Sequence, residues 1–471
     1  MRMDPIKKMI ESMLYPYMEK RKGNCIRANT AELLQSQFAS PEELLSLQEH
    51  KLRGLLLRCS ATVPAYRDFQ KRGITEKMIL DAPFEALALI PPAGKVEIRE
   101  NLDLYTSSEV APETLIANST GGSTAQPFKF FMDRYTVEYY EAARWRGLSW
   151  YGISPGSRSY MIWGNPLELN AVAQAKAARK EHLLKNRRVL SAYDLSPQKV
   201  MQYKRDIEAY HPEYLYGYAG ALATLAKLFL DADQRLALPL KAVVSTAESL
   251  SAERRALITL AFGAPVVDEY GARDGGILAY ECPEGGLHIT SENCILEVLD
   301  PLTLAPLPAG ETGLICVTDL NNLSAPRLRY LVGDTGALAG EPCTCGRHLP
   351  LLREVGGRED AIFQLPNGTL IHGNVINQLA RNSASILAIQ LVQQAPDRAL
   401  LSIVRKEDAG AGTLTAPDTF ASAEEENCER IYIDSVRAAL PGVAIAVRFV
   451  SEIPKPLSGK TRYAIRDFPL R

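Results

Sequence analysis

Ser119-Thr120-Gly121-Gly122-Ser123-Thr124-Ala125-Gln126-Pro127 lies in mid-chain and runs straight into an apolar segment, Phe128-Lys129-Phe130-Phe131-Met132. The glycines let backbone N–H groups converge with no Cβ in the way. The hydroxyls add donors, so the loop can wrap a polyphosphate as an anion nest. A Gly/Ser/Thr run can equally be a polar linker. Its setting between apolar segments argues against that, and so does a basic glycine loop, Pro454-Lys455-Pro456-Leu457-Ser458-Gly459-Lys460, near the end of the sequence. A phosphate loop with a distant lysine loop predicts an enzyme that holds ATP in one domain and completes its site with another.

The bulk composition sets bounds on that reading. A chain of 471 residues exceeds one ordinary core, so two or more domains are expected. It is 46% hydrophobic and 23% charged, an ordinary globular balance, and its net charge of -2 supplies no electrostatic footprint for nucleic acid. The segment from Met1 to Lys8 leads into an amphipathic stretch with no continuous apolar h-region. No apolar run is long enough to cross a bilayer. The expectation is a soluble, cytoplasmic protein without nucleic-acid or membrane partners, and a homodimer is compatible with it.

Along the chain, residues 1–100 read as mostly helical. Ser40-Pro41-Glu42-Glu43 has the form of a helix start, and Leu45, Leu47, Leu52, Leu55 and Leu56 follow at roughly helical spacing. From 114 to 340, strand-like pieces (Tyr160 to Trp163, Ala242 to Val244, Pro265 to Val267) alternate with helical ones such as Ser251 to Ala261, which points to α/β layers. Short strands with turn residues crowd together over 287–337, predicting a more antiparallel β subregion. The pattern restarts near Gly356, and enough chain remains for a small α+β domain. Segment 407–427 reads as an exposed loop ahead of a helix from Cys428 to Leu440. There is no internal repeat.

Further motifs follow the phosphate loop in order: Ser245 to Ser249 at the end of an apolar strand, Asp268 to Asp274 closing the next, Arg329 to Asp334, Gly356 to Asp360, and Ser458-Gly459-Lys460. Each is weak alone. Ser458 to Thr461 could be the tail of a Walker A loop, but Pro454 stands where its first glycine belongs. Lys460 could be a surface lysine, Tyr270 a core aromatic and Asp334 a turn cap. Together, mostly at strand ends, they fit a ligand crevice at the carboxyl edge of an α/β sheet.

This ordered set resembles the adenylate-forming superfamily of acyl-CoA synthetases, adenylation domains and luciferases, and most of all its phenylacetate–CoA ligase and CapK-like branch. The resemblance covers the chain from residue 40 onward. It implies an α/β fold: a large multi-layer N-terminal domain over 1–357, including the β subregion, and a small mobile α+β domain over 358–471. It implies a two-step reaction, in which a carboxylic acid and ATP give an acyl-adenylate and a thiol, coenzyme A for instance, then takes the acyl group. On this resemblance Thr120, Gly121, Gly122, Ser123 and Thr124 hold ATP. Gly121 stands in place of the family's serine and Ala125 in place of a glycine, which stiffens the loop because alanine resists positive φ. Ala247 and Glu248 line the adenine, and Tyr270-Gly271 supplies the ring that stacks on it. Asp274 stands where the family has a glutamate that helps hold Mg²⁺, with Thr124 as the other ligand. Asp334 accepts from the ribose, Arg358 contacts ribose or phosphate during catalysis, Asp360 is the hinge, and Lys460 is the catalytic lysine.

The cysteines carry a separate signal. Cys25, Cys59, Cys294, Cys316 and Cys428 read as buried, inert thiols. Cys343 and Cys345, one residue apart in a Pro/Gly turn, are poorly placed for a mutual disulfide and well placed to grip a metal. With Cys282 and His288 they make a closed Cys₃His set, the signature of structural Zn²⁺. A similar pattern recurs in the CapK-like branch, where some structures carry zinc. The alternative is a buried Cys282 and a surface His288 unrelated to that turn, and His348 is a spare ligand.

The acid substrate is not legible. Ile162 to Asn165 and Tyr214 to Tyr218 are candidate pocket segments whose aromatic content would suit a flat acyl group, although strand-end aromatics are commonly core. Two rivals share these residues. One is an adenylating enzyme whose acceptor is a carrier protein, an amine or a saccharide hydroxyl. The other is a non-catalytic nucleotide- or acyl-adenylate-binding protein.

Overall fold

Ser40 starts the longest helix of the N-terminal region, Pro41–Thr62, through a full capping box: its side chain accepts from the Glu43 amide while the Glu43 carboxylate accepts from the Ser40 amide. Leu44, Leu52, Leu55, Leu56 and Cys59 face inward from this helix. Leu45, expected in that stripe, is instead 49% exposed, because the inward-facing position in the first turns is taken by Leu44. The computed structural model describes residues 5–120, 128–163, 179–192, 195–358, 362–367, 370–372, 376, 385–405, 423–453 and 463–468.

The strands are, in order, β1 (Ile116–Thr120), β2 (Phe128–Met132), β3 (Ser159–Trp163), β4 (Arg187–Ser191), β5 (Tyr214–Tyr218), β6 (Ala242–Thr246), β7 (Val266–Ala272), β8 (Gly276–Glu281), β9 (Leu287–Ile289), β10 (Cys294–Leu299), β11 (Gly313–Asp319), β12 (Tyr330–Leu338) and β13 (Leu351–Arg358). The small strands that follow are β14 (Ile362–Gln364), β15 (Leu370–His372), β16 (Ile386–Ala395), β17 (Arg398–Arg405), β18 (Ala444–Phe449) and β19 (Ala464–Arg466). Eleven strands form one sheet in the order β10-β11-β12-β13-β9-β8-β7-β6-β5-β3-β4. Strands β4, β3, β5, β6 and β7 pair in parallel, and from β7 to β8 onward the pairing is antiparallel.

Burial on both faces explains why the parallel strands read as continuous apolar runs. Alternate residues divide between two cores, as the period of two requires. Tyr160, Ile162, Leu215, Val243 and Val266 pack with Val200, Tyr203, Ile207 and Phe229 from helices Val200–Tyr210 and Ala219–Asp231. Met161, Tyr214, Tyr216, Ala242, Val244 and Val267 pack on the other face with Tyr139, Ala142 and Ala143 of helix Arg134–Ser149. The N-terminal helices cover the antiparallel half, where Leu52, Leu55 and Leu56 share a core with Ile295, Ile315, Tyr330 and Val332.

A smaller C-terminal α/β unit has the sheet order β18-β17-β16-β19 and is covered by helix Ala423–Ala439. Its core includes Ile389, Leu391, Leu401, Ile403, Tyr432 and Val436. The expected loop therefore gives way to helix at residue 423, and 407–422 lie outside the described residues. Cys59, Cys294 and Cys316 are buried as expected, whereas Cys25 is exposed at the start of helix Ile26–Ser36, where its backbone amide serves the Glu138 carboxylate. The side chain of Cys428 is outside the described residues. Among the described residues, no helix is long and apolar enough to cross a membrane.

Helix Arg134–Ser149 lies on the sheet through Gly147, where an added Cβ would stand 2.2 Å from the buried Tyr280 ring. Gly54, inside helix Pro41–Thr62, has nothing within 4 Å of the same position. Gly147→Ala is therefore expected to lower unfolding free energy by about 1–3 kcal/mol. Gly54→Ala should raise it by up to about 1 kcal/mol, because it only removes freedom from the unfolded chain. Urea unfolding of the two variants should move in opposite directions.

Candidate active site

The carboxyl ends of β3, β5, β6 and β7 share one edge of the sheet, and most of the motifs met in sequence order gather there. Trp163 and Tyr218, the last residues of β3 and β5, stack with centroids 4.2 Å apart and are both partly exposed. The neighbouring candidates are core: Ile162 and Tyr214 are buried, and the buried Tyr216 hydroxyl donates to Glu269 at 2.7 Å. Gly164 and Asn165 are outside the described residues.

Directly after β6, Ala247 adopts a left-handed conformation (φ 65°), uncommon for a residue with a Cβ. The bend sends Glu248 back to the start of helix Ala219–Asp231, where its carboxylate accepts from the Gly220 amide at 2.6 Å. That amide has no partner within its own helix, and the helix dipole favours an anion there. The Ser249 hydroxyl donates to the Gly356 carbonyl of β13 at 3.4 Å. The loop after β6 thus meets the end of β13.

Tyr270, on β7 and 8% exposed, donates its hydroxyl to the Asp334 carboxylate of β12 at 3.2 Å. Asp334 sits within β12 in register with Arg358 of β13, so it is a strand residue rather than a turn cap. An added Cβ at Gly271 would meet the Gly276 carbonyl at 2.5 Å, so this tight β7–β8 connection requires glycine. Ala247, Glu248, Tyr270, Gly271, Asp334 and the backbone of Arg358 are therefore brought together.

Asp274 is placed differently from the expectation of a cation-facing carboxylate. It is 1% exposed, with Lys95 Nζ 3.1 Å away and the Tyr330 hydroxyl donating to the same oxygen. A magnesium ion needs near-octahedral oxygen ligands and usually keeps several waters. A sealed carboxylate with an ammonium already against it does not fit that demand. Burial by itself would raise the Asp274 carboxyl, but Lys95, Tyr330 and Arg327 together hold it below its ordinary value. Sequence reading passed over Lys95 and Tyr330. Tyr330 lies inside the Arg329 to Asp334 motif, whereas Lys95, first in helix Lys95–Glu100, carries no local signal of this contact.

Thr120 is in register with Phe128, so β1 and β2, on either side of the glycine-rich segment, pair antiparallel. The loop itself (Gly121, Gly122, Ser123, Thr124, Ala125) and Asp360 and Lys460 lie outside the described residues, as do the side chains of Thr120 and Arg358. The ends of the lysine loop are placed. Ile453 is buried, and Tyr463 accepts from the Leu391 amide at 2.8 Å while its hydroxyl lies 3.5 Å from Arg254. Arg254 also donates to the Ser249 carbonyl at 3.0 Å, which links the loop after β6 to the small domain.

On the antiparallel half, Cys282, His288, Cys343 and Cys345 bring their ligand atoms within 4.8 Å of one another. Cys282 and Cys343 sulfurs are 3.6 Å apart, and His288 Nε2 is 3.2 Å from Cys345 Sγ. His288 Nδ1 meets the Leu349 carbonyl at 3.2 Å, which fixes the tautomer with Nε2 turned to the thiols. Burial pushes the imidazole down to about 4, so it is neutral at pH 7, the form that ligates. An added Cβ at Gly286 would lie 2.6 Å from Cys343 Sγ, so the turn must be glycine for the cluster to close. His288 is fully buried rather than at the surface, and the exposed His348 bonds instead to the Ala39 carbonyl.

The fold is the one seen in solved acyl-CoA ligases of the adenylate-forming type. The structure superposes on 2-hydroxyisobutyryl-CoA ligase in its postadenylation state with an acyl-AMP at a TM-score of 0.67, with 20% identity, covering 91% of this chain and 90% of that one. That enzyme has also been solved in an open conformation and in a thioesterification state, each with CoA. The chain is also homologous to Protein CapK of Staphylococcus aureus (22% identity, 84% of this chain and 83% of the relative). A phenylacetate-coenzyme A ligase of Thermus thermophilus matches at 26% identity over 68% of this chain and 71% of its own. No protein-family model matches the chain.

The Asp274 placement has a pH signature. Its folded value lies below the ordinary 3.8, so it stabilises the fold fully above 3.8 and loses that contribution as pH falls through the lower folded value. Asp274→Asn should be less stable than the parent at neutral pH by about 3–5 kcal/mol, the cost of leaving Lys95 unpaired. The gap should close on acidification. Chemical unfolding across that range measures it, and a gap independent of pH would contradict the ion pair.

Proposed function

We propose that this chain is an ATP-dependent acid–thiol ligase that activates a carboxylic acid as its adenylate and passes the acyl group to a thiol, with coenzyme A as the acceptor. The observation that carries the reading is the convergence of Ala247, Glu248, Tyr270 and Asp334 at the carboxyl edge of the parallel sheet, with Tyr270 and Asp334 joined at 3.2 Å. A ring and a carboxylate so joined would take an adenine face and a ribose hydroxyl together. Relatives named as phenylacetate-coenzyme A ligase, and structural neighbours that bind acyl-AMP and CoA, support the same chemistry.

An attacking carboxylate and an α-phosphate repel each other, so positive charge and donors must gather where negative charge builds. On this reading Thr120, Gly121, Gly122, Ser123 and Thr124 cradle the phosphates, Arg358 contacts ribose or phosphate, and Lys460 is the mobile cation. The domains divide at 357/358, with Asp360 as the hinge. A lysine on a moving domain can leave after adenylation and open room for the thiol. Magnesium accompanying ATP would neutralise phosphate charge, with Thr124 a candidate ligand. Trp163 and Tyr218 are proposed to flank the acyl group, which favours a flat acid.

ATP–pyrophosphate exchange across a panel of carboxylic acids tests the first step, and a thioester assay with CoA tests the second. No exchange with any acid would favour inert nucleotide binding. Exchange without CoA thioester would favour a carrier-protein, amine or saccharide acceptor. Lys460→Ala should cut adenylate formation by about 10²-fold or more, as losing an electrostatic stabiliser does. The thioester step, started from synthetic acyl-adenylate, should fall far less. Equal loss in both half-reactions would remove the two-state role of this lysine.

The Cys₃His cluster is proposed to hold one structural Zn²⁺, because it offers three thiolates and one imidazole and leaves no position for a reacting water. Freshly purified protein should carry about one zinc per chain by metal analysis, as a closed four-ligand site does. Cys343→Ser/Cys345→Ser should lose it together with thermal stability. Protein isolated without metal, and no less stable in the variant, would dismiss the site.

A further inference from the structure

We infer that Asp274 is a positioning residue for the nucleotide-binding edge, held by Lys95 and Tyr330, and not a magnesium ligand. The inference rests on the adenylate-forming reading above. It begins from two reciprocal links between the same two segments. Tyr270 of β7 donates to Asp334 of β12, and Tyr330 of β12 donates to Asp274 in the turn after β7. Tyrosine precedes aspartate by four residues in each segment, so one segment's tyrosine meets the other's aspartate at both ends of the contact. Strands β7 and β12 are not sheet neighbours, since β8, β9 and β13 lie between them in the order. These side chains therefore tie the parallel half of the sheet to the antiparallel half directly. The turn itself touches β12: a Cβ at Gly275 would lie 3.6 Å from Val332.

Lys95 belongs to this clamp and is no loose surface lysine. Ala93 forms a parallel bridge with Tyr330, its amide donating to the Arg329 carbonyl at 3.0 Å and its carbonyl accepting from the Leu331 amide at 2.9 Å. Two residues on, Lys95 stands first in its helix, with its side chain 26% exposed against 1% for Asp274. The ammonium that neutralises Asp274 is thus stitched to the strand that carries Asp334. Removing the charge at Lys95 leaves Asp274 buried without its cation, and removing it at Asp274 leaves a partly buried ammonium without its anion. The β7–β12 contact then slackens, and Tyr270 and Asp334 lose their mutual orientation.

Binding of AMP to the full-length protein without added magnesium isolates this role from metal binding. The set is the parent, Asp274→Asn, Lys95→Met, the Asp274→Asn/Lys95→Met double variant, Lys95→Arg and Tyr330→Phe, each checked for a cooperative melt. Each charge-removing single variant should weaken AMP about tenfold, the scale of a charged hydrogen bond. The double variant should be no weaker than either single, because the two act as a unit. Lys95→Arg should keep most of the affinity. Tyr330→Phe, which retains the ring and loses only the hydroxyl, should fall between and keeps the test decisive if the charge variants do not fold. The magnesium concentration that half-saturates pyrophosphate exchange should stay at the parent value in Lys95→Met and Asp274→Asn alike. Parent-like AMP binding in Asp274→Asn with a several-fold higher magnesium requirement would overturn the inference and restore a metal-ligand role. Silence of Lys95→Met and Tyr330→Phe would overturn it too, leaving the ligase reading intact. A parent protein that binds no AMP would instead overturn the ligase reading.

Discussion

The turn from β7 to β8 is the constraint on which the site depends. Strand β7 is the last parallel strand and pairs antiparallel with β8, so the two halves of the large sheet meet there. The connection closes only because Gly271 and Gly276 lack side chains: added Cβ atoms would meet the Gly276 carbonyl at 2.5 Å and the Tyr140 ring at 2.2 Å. With the turn so tight, Tyr270 and Asp274 are delivered to opposite ends of a contact with β12. A looser connection would separate the Tyr270 ring from the Asp334 carboxylate that steadies it.

Buried charges do much of the positioning elsewhere. Glu269, 1% exposed, receives Arg144, the Tyr216 hydroxyl and the Thr246 hydroxyl, and so joins helix Arg134–Ser149 to β5, β6 and β7. Arg146 and Glu292, both 1% exposed, pair at 2.7 Å. Arg329 reaches Glu297 and the carbonyls of Ala88 and Ile90, which fastens the N-terminal helical region to the start of β12. Such pairs add little net stability against apolar replacements, yet they penalise any packing that leaves one partner alone. Here that penalty falls on misplacing the strands that carry the site. The Cys₃His cluster acts in the same sense past the other end of β8. It links the end of β8 and β9 to the turn ahead of β13, and β13, β9 and β8 are neighbours.

Local sequence determined much of this protein. The helix start at Ser40, the helical piece from Ser251, the strand after the glycine-rich segment and the alternation of apolar runs all rest on contacts within a few residues, and all appear where their pattern predicts. The order of loops was enough to anticipate that the segments carrying Ala247, Tyr270 and Asp334 come together, although Asp334 lies within β12 and not at its end. Cys282, His288, Cys343 and Cys345 were also legible as a set, since their residue types have few other reasons to recur in glycine turns.

Tertiary structure alone decided the partners of the charged and aromatic residues. Nothing near Lys95 in the sequence points to Asp274, and nothing near Tyr330 marks its hydroxyl for the same carboxylate, because that contact joins strands distant in the sheet order. Tyr214 and Tyr216 read like pocket residues; they share one face of β5 with Tyr218, and only the packing of the folded core buries the first two while Trp163 and Tyr218, at the strand ends, stay partly exposed. Local patterns are set by backbone geometry over a few residues. Charge pairing and burial depend on which surfaces the folded sheet brings face to face, and that is settled only when the whole core closes.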